Sequence, residues 1–271
     1  MCNSELSILN ILDSEVPETP FNDGDKDPFL INIWLGIITT RNLDITTYGK
    51  TVAYLMNAVK NGYGGFADDF TFGSGLSDLA KGLERNIWEF SAAKQYQEVR
   101  TLSKMIFRGQ PFEEFKPLAD IVWKDYNKTW LNSEWVTGVQ QAQSAREWQD
   151  FQDNDDVQFL RYHTQRDSRV RSEHAALEGI IRAKNDPFWN NYAPKNGWRC
   201  RCFLTGQETT KKVTDLSKKK IPVFGDKDFP KEFKMNAGKD KFIFSKRHPY
   251  FKVSKGDLIL KNNNFNLPLP R

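Results

Sequence analysis

Over most of the first 150 residues, apolar side chains recur at three- and four-residue steps, a spacing that predicts amphipathic helices. Tyr48, Val52, Leu55, Met56 and Val59 share one face of a helix over 44–61, with Gly62 as its stop. Leu76, Leu79, Leu83, Ile87, Phe90, Val99, Leu102 and Ile106 predict a second, longer helix that starts at Ser74 or Ser77 and stops at Gly109 and Pro111. A third covers 117–151, with Pro117 in its first turn and a break near Asn132-Ser133. Its apolar face runs through Leu118, Ile121, Val122, Tyr126 and Trp130, then through Trp135, Val139, Ala142 and Trp148. The stretch 28–40, PFLINIWLGIITT, is apolar and β-branched, and periodicity there does not separate a strand from a buried helix. Ahead of it, residues 1–28 read as an arm of short apolar pieces broken by Pro17, Pro20 and the acidic turn Asn22-Asp23-Gly24-Asp25.

The pattern changes after the acidic cluster Asp150, Asp153, Asp155 and Asp156, which reads as a solvated linker and a domain boundary. Residues 157–164, VQFLRYHT, have strand composition, and Asp167 or Ser168 is placed to cap a helix beginning near Val170. On that helix Val170, His174 and Leu177 share a face, Gly179 ends it, and 180–183 begins another strand. The loop AKNDPFWNNYAPKNGW is rich in turn formers, yet Phe188, Trp189, Tyr192 and Trp198 require it to fold against the domain. Cys-Arg-Cys at 200–202 reads as a strand, which places both thiols on one face. The expected class is therefore α+β: a helical part over 29–152, a small mixed α/β domain over 157–207, and an extended, loop-rich C-terminal tail over 208–271. One further segment, GYGGFADDFTFGSG, is a glycine-rich loop pinned by its aromatic residues. It lacks the Lys and Ser/Thr of a phosphate-cradling loop.

Charge sharpens the division. From residue 211 onward there are 16 Lys and Arg against six Asp and Glu, whereas the preceding chain has 23 against 29. Such an asymmetry points the tail at phosphate or at an acidic protein surface, with Lys211, Lys212, Lys218, Lys219, Lys220, Lys246 and Arg247 as candidate contacts. Lys is interleaved with Phe and Tyr there. That suits backbone contact and stacking on nucleic acid, or a tail that wraps a neighbouring subunit. Eight Trp and 20 Phe in 271 residues supply ample burial for a folded chain. No apolar run reaches the roughly 20 residues of a membrane span, and the first residues lack the basic and apolar regions of a secretion signal. Three Cys cannot form a disulfide framework, so a reducing compartment is expected.

Chemistry-bearing residues concentrate between Arg161 and Leu204. His174, Cys200 and Cys202 are three ligands of the kind zinc takes in a closed tetrahedral site. The fourth is then His163 or a carboxylate such as Asp167. Alternatively these are packed free thiols beside a hydrogen-bonded His. A catalytic reading uses the same stretch: His174 with Asp167 as acid and base, and Arg161, Arg169 and Arg171 as phosphate-holding cations, as in a nuclease or transferase. An Arg/Asp network that only orders the fold competes with it.

Three blocks in order, D-S-R-V-R-S-E-H-A-A-L-E-G, then D-P-F-W, then P-K-N-G-W-R-C-R-C, resemble the signature of the phage Mu F-like head morphogenesis family. These proteins are also called minor head or minor capsid proteins. The versions from phages and prophages of Bacteroidetes-type hosts are similar upstream as well, at GDKDPF, FSAAK-Y and YNKTWLNSEW. Matching motif positions are Thr164, Asp167, Arg169, Val170, Arg171, His174, Leu177, Gly179, Pro187, Trp198, Cys200, Arg201 and Cys202. The resemblance implies a non-enzymatic virion component at the portal vertex that joins the head during assembly in the host cytoplasm. Its partners would be the portal protein and capsid proteins, with DNA as a further contact through the tail. In some relatives Cys residues stand near the positions of Arg171 and His174, which fits a Cys/His metal knot; this chain departs from that version at Arg171. A plain nucleic-acid-binding protein is the remaining alternative.

Overall fold

A computed structural model describes residues 16–64, 77–209, 212–225 and 227–270. Asn22 and Asp25 form a capping box, each side chain accepting from the other's backbone N–H, and start α1 (Asp23–Trp34). The acidic turn expected there is thus a helix N-terminus, and the ambiguous stretch after it is helical to Trp34, burying Phe29, Leu30 and Ile33. Asp44 caps α2 (Ile45–Tyr63), whose left-handed stop is Gly64 rather than Gly62. Gly62 lies inside the helix, where an added Cβ would stand 2.0 Å from the Val139 carbonyl oxygen. Ser77 caps α3 (Asp78–Ser103) through the Ala80 N–H. Residues 65–76, including most of the glycine-rich loop, lie outside the described residues, as do residues 1–15 of the arm.

The third predicted helix is longer than its spacing indicated. It begins as α4 (Phe112–Lys124), with Pro117 well inside rather than in the first turn. It passes through a π-helical turn (Asp125–Trp130) and continues as α5 (Leu131–Asp153). The irregularity therefore falls at the π turn and not at Asn132-Ser133. Within it, Asn127 is buried and donates to Glu98 of α3. Helices α2, α3, α4 and α5 share one core with Leu55, Leu83, Ile87, Phe90, Val99 and Leu131, all fully buried.

After α5 comes a three-stranded antiparallel sheet of order β2-β1-β3: β1 (Phe159–His163), β2 (Ile181–Ala183) and β3 (Phe203–Gln207). Leu160 pairs with Arg182 and Gly206, and Tyr162 with Leu204. Leu160 and Tyr162 point into a second core with Leu177, Ile180, Trp189, Phe229 and the two Cys. The helix expected from Val170 is only one turn, α6 (Ser172–Ala175), and its N-cap is Arg171 rather than Asp167 or Ser168. Three more short helices, α7 (Trp189–Tyr192), α8 (Ala237–Asp240) and α9 (Leu258–Asn262), lie in the later chain.

The final segment does not trail away. Met235, Ile243, Phe244, Tyr250, Phe251 and Phe265 enter the helical core and Phe233 is buried against Trp198, so these aromatic residues, expected to stack on bases or insert into a neighbour, are buried in their own chain. The segment is built of short helical turns because its side chains are fitted to α3 and α5 and have no period of their own. No helix among the described residues is long and apolar enough to cross a membrane.

Candidate functional site

His174, Cys200 and Cys202 converge as expected, although the route differs. Cys200 and Cys202 precede β3 rather than lying in a strand, and Arg199, with φ of 54°, turns the backbone into them. All three side chains are buried. His174 Nδ1 lies 3.3 Å from Cys200 Sγ and 3.7 Å from Cys202 Sγ. Among the described residues these three form the group whose donor atoms lie within 4.8 Å of one another. His174 Nε2–H donates to the Asp228 carbonyl at 3.0 Å, which leaves Nδ1 free to accept or to ligate. The ring meets Phe229 edge-on. A Cβ at Gly197 would stand 3.3 Å from the Arg171 guanidinium and 3.4 Å from the imidazole.

Protons divide unevenly over the cluster. Burial opposes the Cys200 thiolate, yet hydrogen bonds with Cys202 and His174 and the charge of His174 bring its thiol well below the ordinary value. Cys202 moves the opposite way, raised by donating to Cys200 and by burial. For His174, burial favours the neutral ring, but the partnership with Cys200 outweighs it and the imidazole is raised. The partnership therefore favours the charged forms of His174 and Cys200 and the neutral thiol of Cys202.

The donor set also suits zinc. Bonds of about 2.3 Å to sulfur and 2.0–2.1 Å to nitrogen at a tetrahedral angle separate N from S by about 3.6 Å, and the two observed separations bracket that value. The carbonyl that orients Nε2 is the outer-shell partner a ligating His needs. Neither proposed fourth ligand joins the three. His163 stacks on Phe203 and contacts Thr205 and Glu178, while the Asp167 carboxylate grips Arg201 at 2.7 Å. That placement also removes the acid and base pair: both ring nitrogens of His174 face other partners, and the Arg201 guanidinium holds Asp167 below the usual carboxylate range.

The remaining motif residues fasten this knot. Thr164 donates through N–H and Oγ1 to Glu178. Arg171 donates to the Trp198 carbonyl at 2.8 Å. Leu177 is buried, Gly179 takes φ of 74°, and exposed Pro187 opens the turn into α7. Trp198 packs on Phe233 and His248. Arg169 and half-buried Val170 stand at the mouth of a small cavity over the Cys pair. Sequence reasoning passed over Lys195, which is buried and donates to the Cys202 carbonyl at 2.7 Å. It also passed over Gln141 and Ser144 of α5, which bond to the carbonyls of Lys195 and Pro194 and so join the knot to the helical part. The P-K-N run inside the motif was the available signal.

Of the tail cations, Lys211 lies outside the described residues. Lys212, Lys218 and Lys220 are exposed. Lys219 donates to the Glu178 carbonyl, Lys246 pairs with Glu89, and Arg247 donates to the Lys234 carbonyl. Lys218 also pairs with Asp215 at 3.5 Å.

Residues 70–205 match the family described as Phage Mu protein F like protein, half of the chain. A 59-residue stretch, 22% of this chain and 14% of the relative, is 41% identical to the "Mu-like prophage FluMu F protein" of Haemophilus influenzae. A 44-residue stretch, 16% of this chain and 10% of the relative, is 41% identical to the "Putative capsid assembly protein F" of Escherichia phage Mu. The matched stretches thus span only a small part of these relatives. No solved structure matches.

Proposed function

Because the chain belongs to the phage Mu F-like protein family, we propose that it is a structural component of a phage head, a minor head protein that joins the particle during assembly and sits at the portal vertex. The observation that carries this is the family match, which includes the whole Cys/His knot, together with the capsid-assembly name of one relative. The knot supports a structural role: its polar groups are spent on backbone carbonyls and on one another, and Asp167 serves Arg201 instead of His174. The partners are the portal protein and other head proteins, and exposed Lys212, Lys218 and Lys220 add a phosphate-facing patch for packaged DNA. The test is assembly in cells: the protein co-purifies with procapsids and with portal protein expressed alone. Its absence from both rejects the reading. DNA contact is checked separately by the salt dependence of binding, which is steep when several lysines neutralise phosphates.

The same reading includes a zinc ion held by His174, Cys200 and Cys202, with its fourth position left to a ligand outside these three. Zinc supplies cross-linking there, not reaction chemistry. Metal analysis of purified protein checks it, with Cys200→Ser as the control. Cobalt substitution should give a thiolate-to-metal absorption band, and a metal-free protein of unchanged stability rejects it.

A further inference from the structure

His174, Cys200 and Cys202 line one cavity of about 20 Å³ that opens to solvent, room for about one water-sized atom. Three donors leave a tetrahedral zinc ion one open position, and this opening is the way to it. Among the described residues no further His, Cys or carboxylate completes the group. A fourth ligand from outside those residues must therefore have a slender tip.

The rim decides its charge. Arg169, Arg171, Arg199 and Arg201 surround the opening. Asp167 meets Arg201 at 2.7 Å and Arg169 at 3.8 Å, and Asp228 meets Arg171 at 3.8 Å. Arg199 donates instead to the neutral amide oxygen of Asn132. Glu173 bonds to Ser172 and is not among the residues lining the opening. Four guanidiniums paired with two carboxylates leave a surplus of two positive charges at the rim. This surplus faces solvent, since the Arg169 side chain is 77% exposed and Arg199 is exposed as well. Beneath it, two coordinating thiolates cancel the charge of a zinc ion, so an entering group meets the surplus of the arginines. Water matches the size of the opening but not this charge. A carboxylate matches both, because zinc accepts Asp and Glu oxygens and a second carboxylate oxygen suits a guanidinium fork.

We propose that this opening receives the carboxylate of an aspartate or glutamate side chain from a partner protein, which completes the zinc site and is held by the rim arginines. The inference rests on the zinc reading, while the head-assembly reading is independent of it.

The test uses the full chain loaded with cobalt, whose visible bands report the ligands around the metal. The probes are capped tripeptides, Ala-Glu-Ala and Ala-Gln-Ala, with dimethyl phosphate standing in for a nucleic-acid backbone. The glutamate peptide should shift the bands saturably and the glutamine peptide should leave them unchanged. Arg169→Gln with Arg199→Gln alters two exposed rim residues. This double variant should weaken the response at least tenfold, with its cobalt content unchanged and its melting temperature within a few degrees of the parent. Bound cobalt whose bands ignore the glutamate peptide, or answer the glutamine peptide equally, overturns this inference and leaves the zinc reading standing. Failure to bind cobalt overturns both. Tighter binding of dimethyl phosphate than of the glutamate peptide would replace the protein partner with a phosphate and reject the proposal. So would bands that change in Cys2→Ser before any probe is added, which would give the fourth position to the chain's own thiol.

Discussion

Asn86 of α3 holds Phe244 by both ends of its amide: Oδ1 accepts from the Ile243 and Phe244 N–H groups at 2.9 and 2.8 Å, and Nδ2 donates to the Phe244 carbonyl at 2.9 Å. The Phe244 ring stacks on Phe90, one turn further along the same helix. A single buried side chain thereby replaces the secondary structure that the C-terminal segment lacks. Replacing Asn86 with Ala strands two buried N–H groups and one carbonyl, at about 1–3 kcal/mol for each unsatisfied group. We expect a clear fall in melting temperature, and proteolytic cutting near 240–255 well before the helices are cut. A variant as stable and as resistant as the parent would show that the anchor is dispensable.

This anchor also shows why the final segment was misread. Its Lys and Phe alternate without a period because Phe244, Phe251 and Phe265 fit niches on the distant helix α3 and Phe229 and Phe233 fit niches beside the Cys/His knot, and spacing carries no record of that. The long helices were legible from three- and four-residue steps, but the π turn was not, since Asn127 is placed by Glu98 on another helix. Convergence of His174 with the Cys pair was legible for a partly wrong reason. Period two placed the thiols together, while in the structure a left-handed Arg199 and the Lys195 bond to the Cys202 carbonyl do so. At Asn22-Asp23-Gly24-Asp25 the capping-box signal was present and the turn composition masked it.

Gly62 and Gly49 both lie in α2, and their substitutions should act in opposite directions. Around Gly49 nothing lies within 4 Å of an added Cβ. Gly49→Ala should therefore stabilise by about 0.5–1 kcal/mol through helix propensity. Gly62→Ala gains the same propensity but drives its methyl into the α5 backbone at Val139. Overpacking of this kind costs about 1–3 kcal/mol, so the net change should be destabilising. Thermal melts of the two variants decide it, and equal shifts would mean the helices separate freely at this crossing.

Lys94 and Glu134 form an ion pair with both side chains 2% exposed. Removing one charge leaves the other buried alone, which costs about 3–5 kcal/mol. Lys94→Met and Glu134→Leu should each destabilise by roughly that amount. The double variant should lose much less than the two losses added together. Strictly additive losses in chemical denaturation would show that the pair is not coupled.

Glu98 makes stability fall with rising pH, and the sign follows from where its proton is held. Burial raises its carboxyl from an ordinary 4.5 to about 8, with Lys94 and Asn127 offsetting only part of the effect. Below 4.5 the group is protonated in both states and contributes no slope. Between 4.5 and 8 the unfolded chain releases the proton and the folded chain keeps it, so stability drops as pH rises; above 8 the loss is complete. His248 acts on the acid side in the opposite sense. Its imidazole is depressed from 6.5 to about 3, so the stability it contributes is present above 6.5 and is lost as pH falls. Between 6.5 and 8 only Glu98 of the two has a slope, worth about 2 kcal/mol over that interval. Urea unfolding at several pH values across this window should show the decline in the parent and a flatter profile in Glu98→Gln, which keeps an oxygen for Asn127. An unchanged decline in the variant would assign the pH dependence to another group.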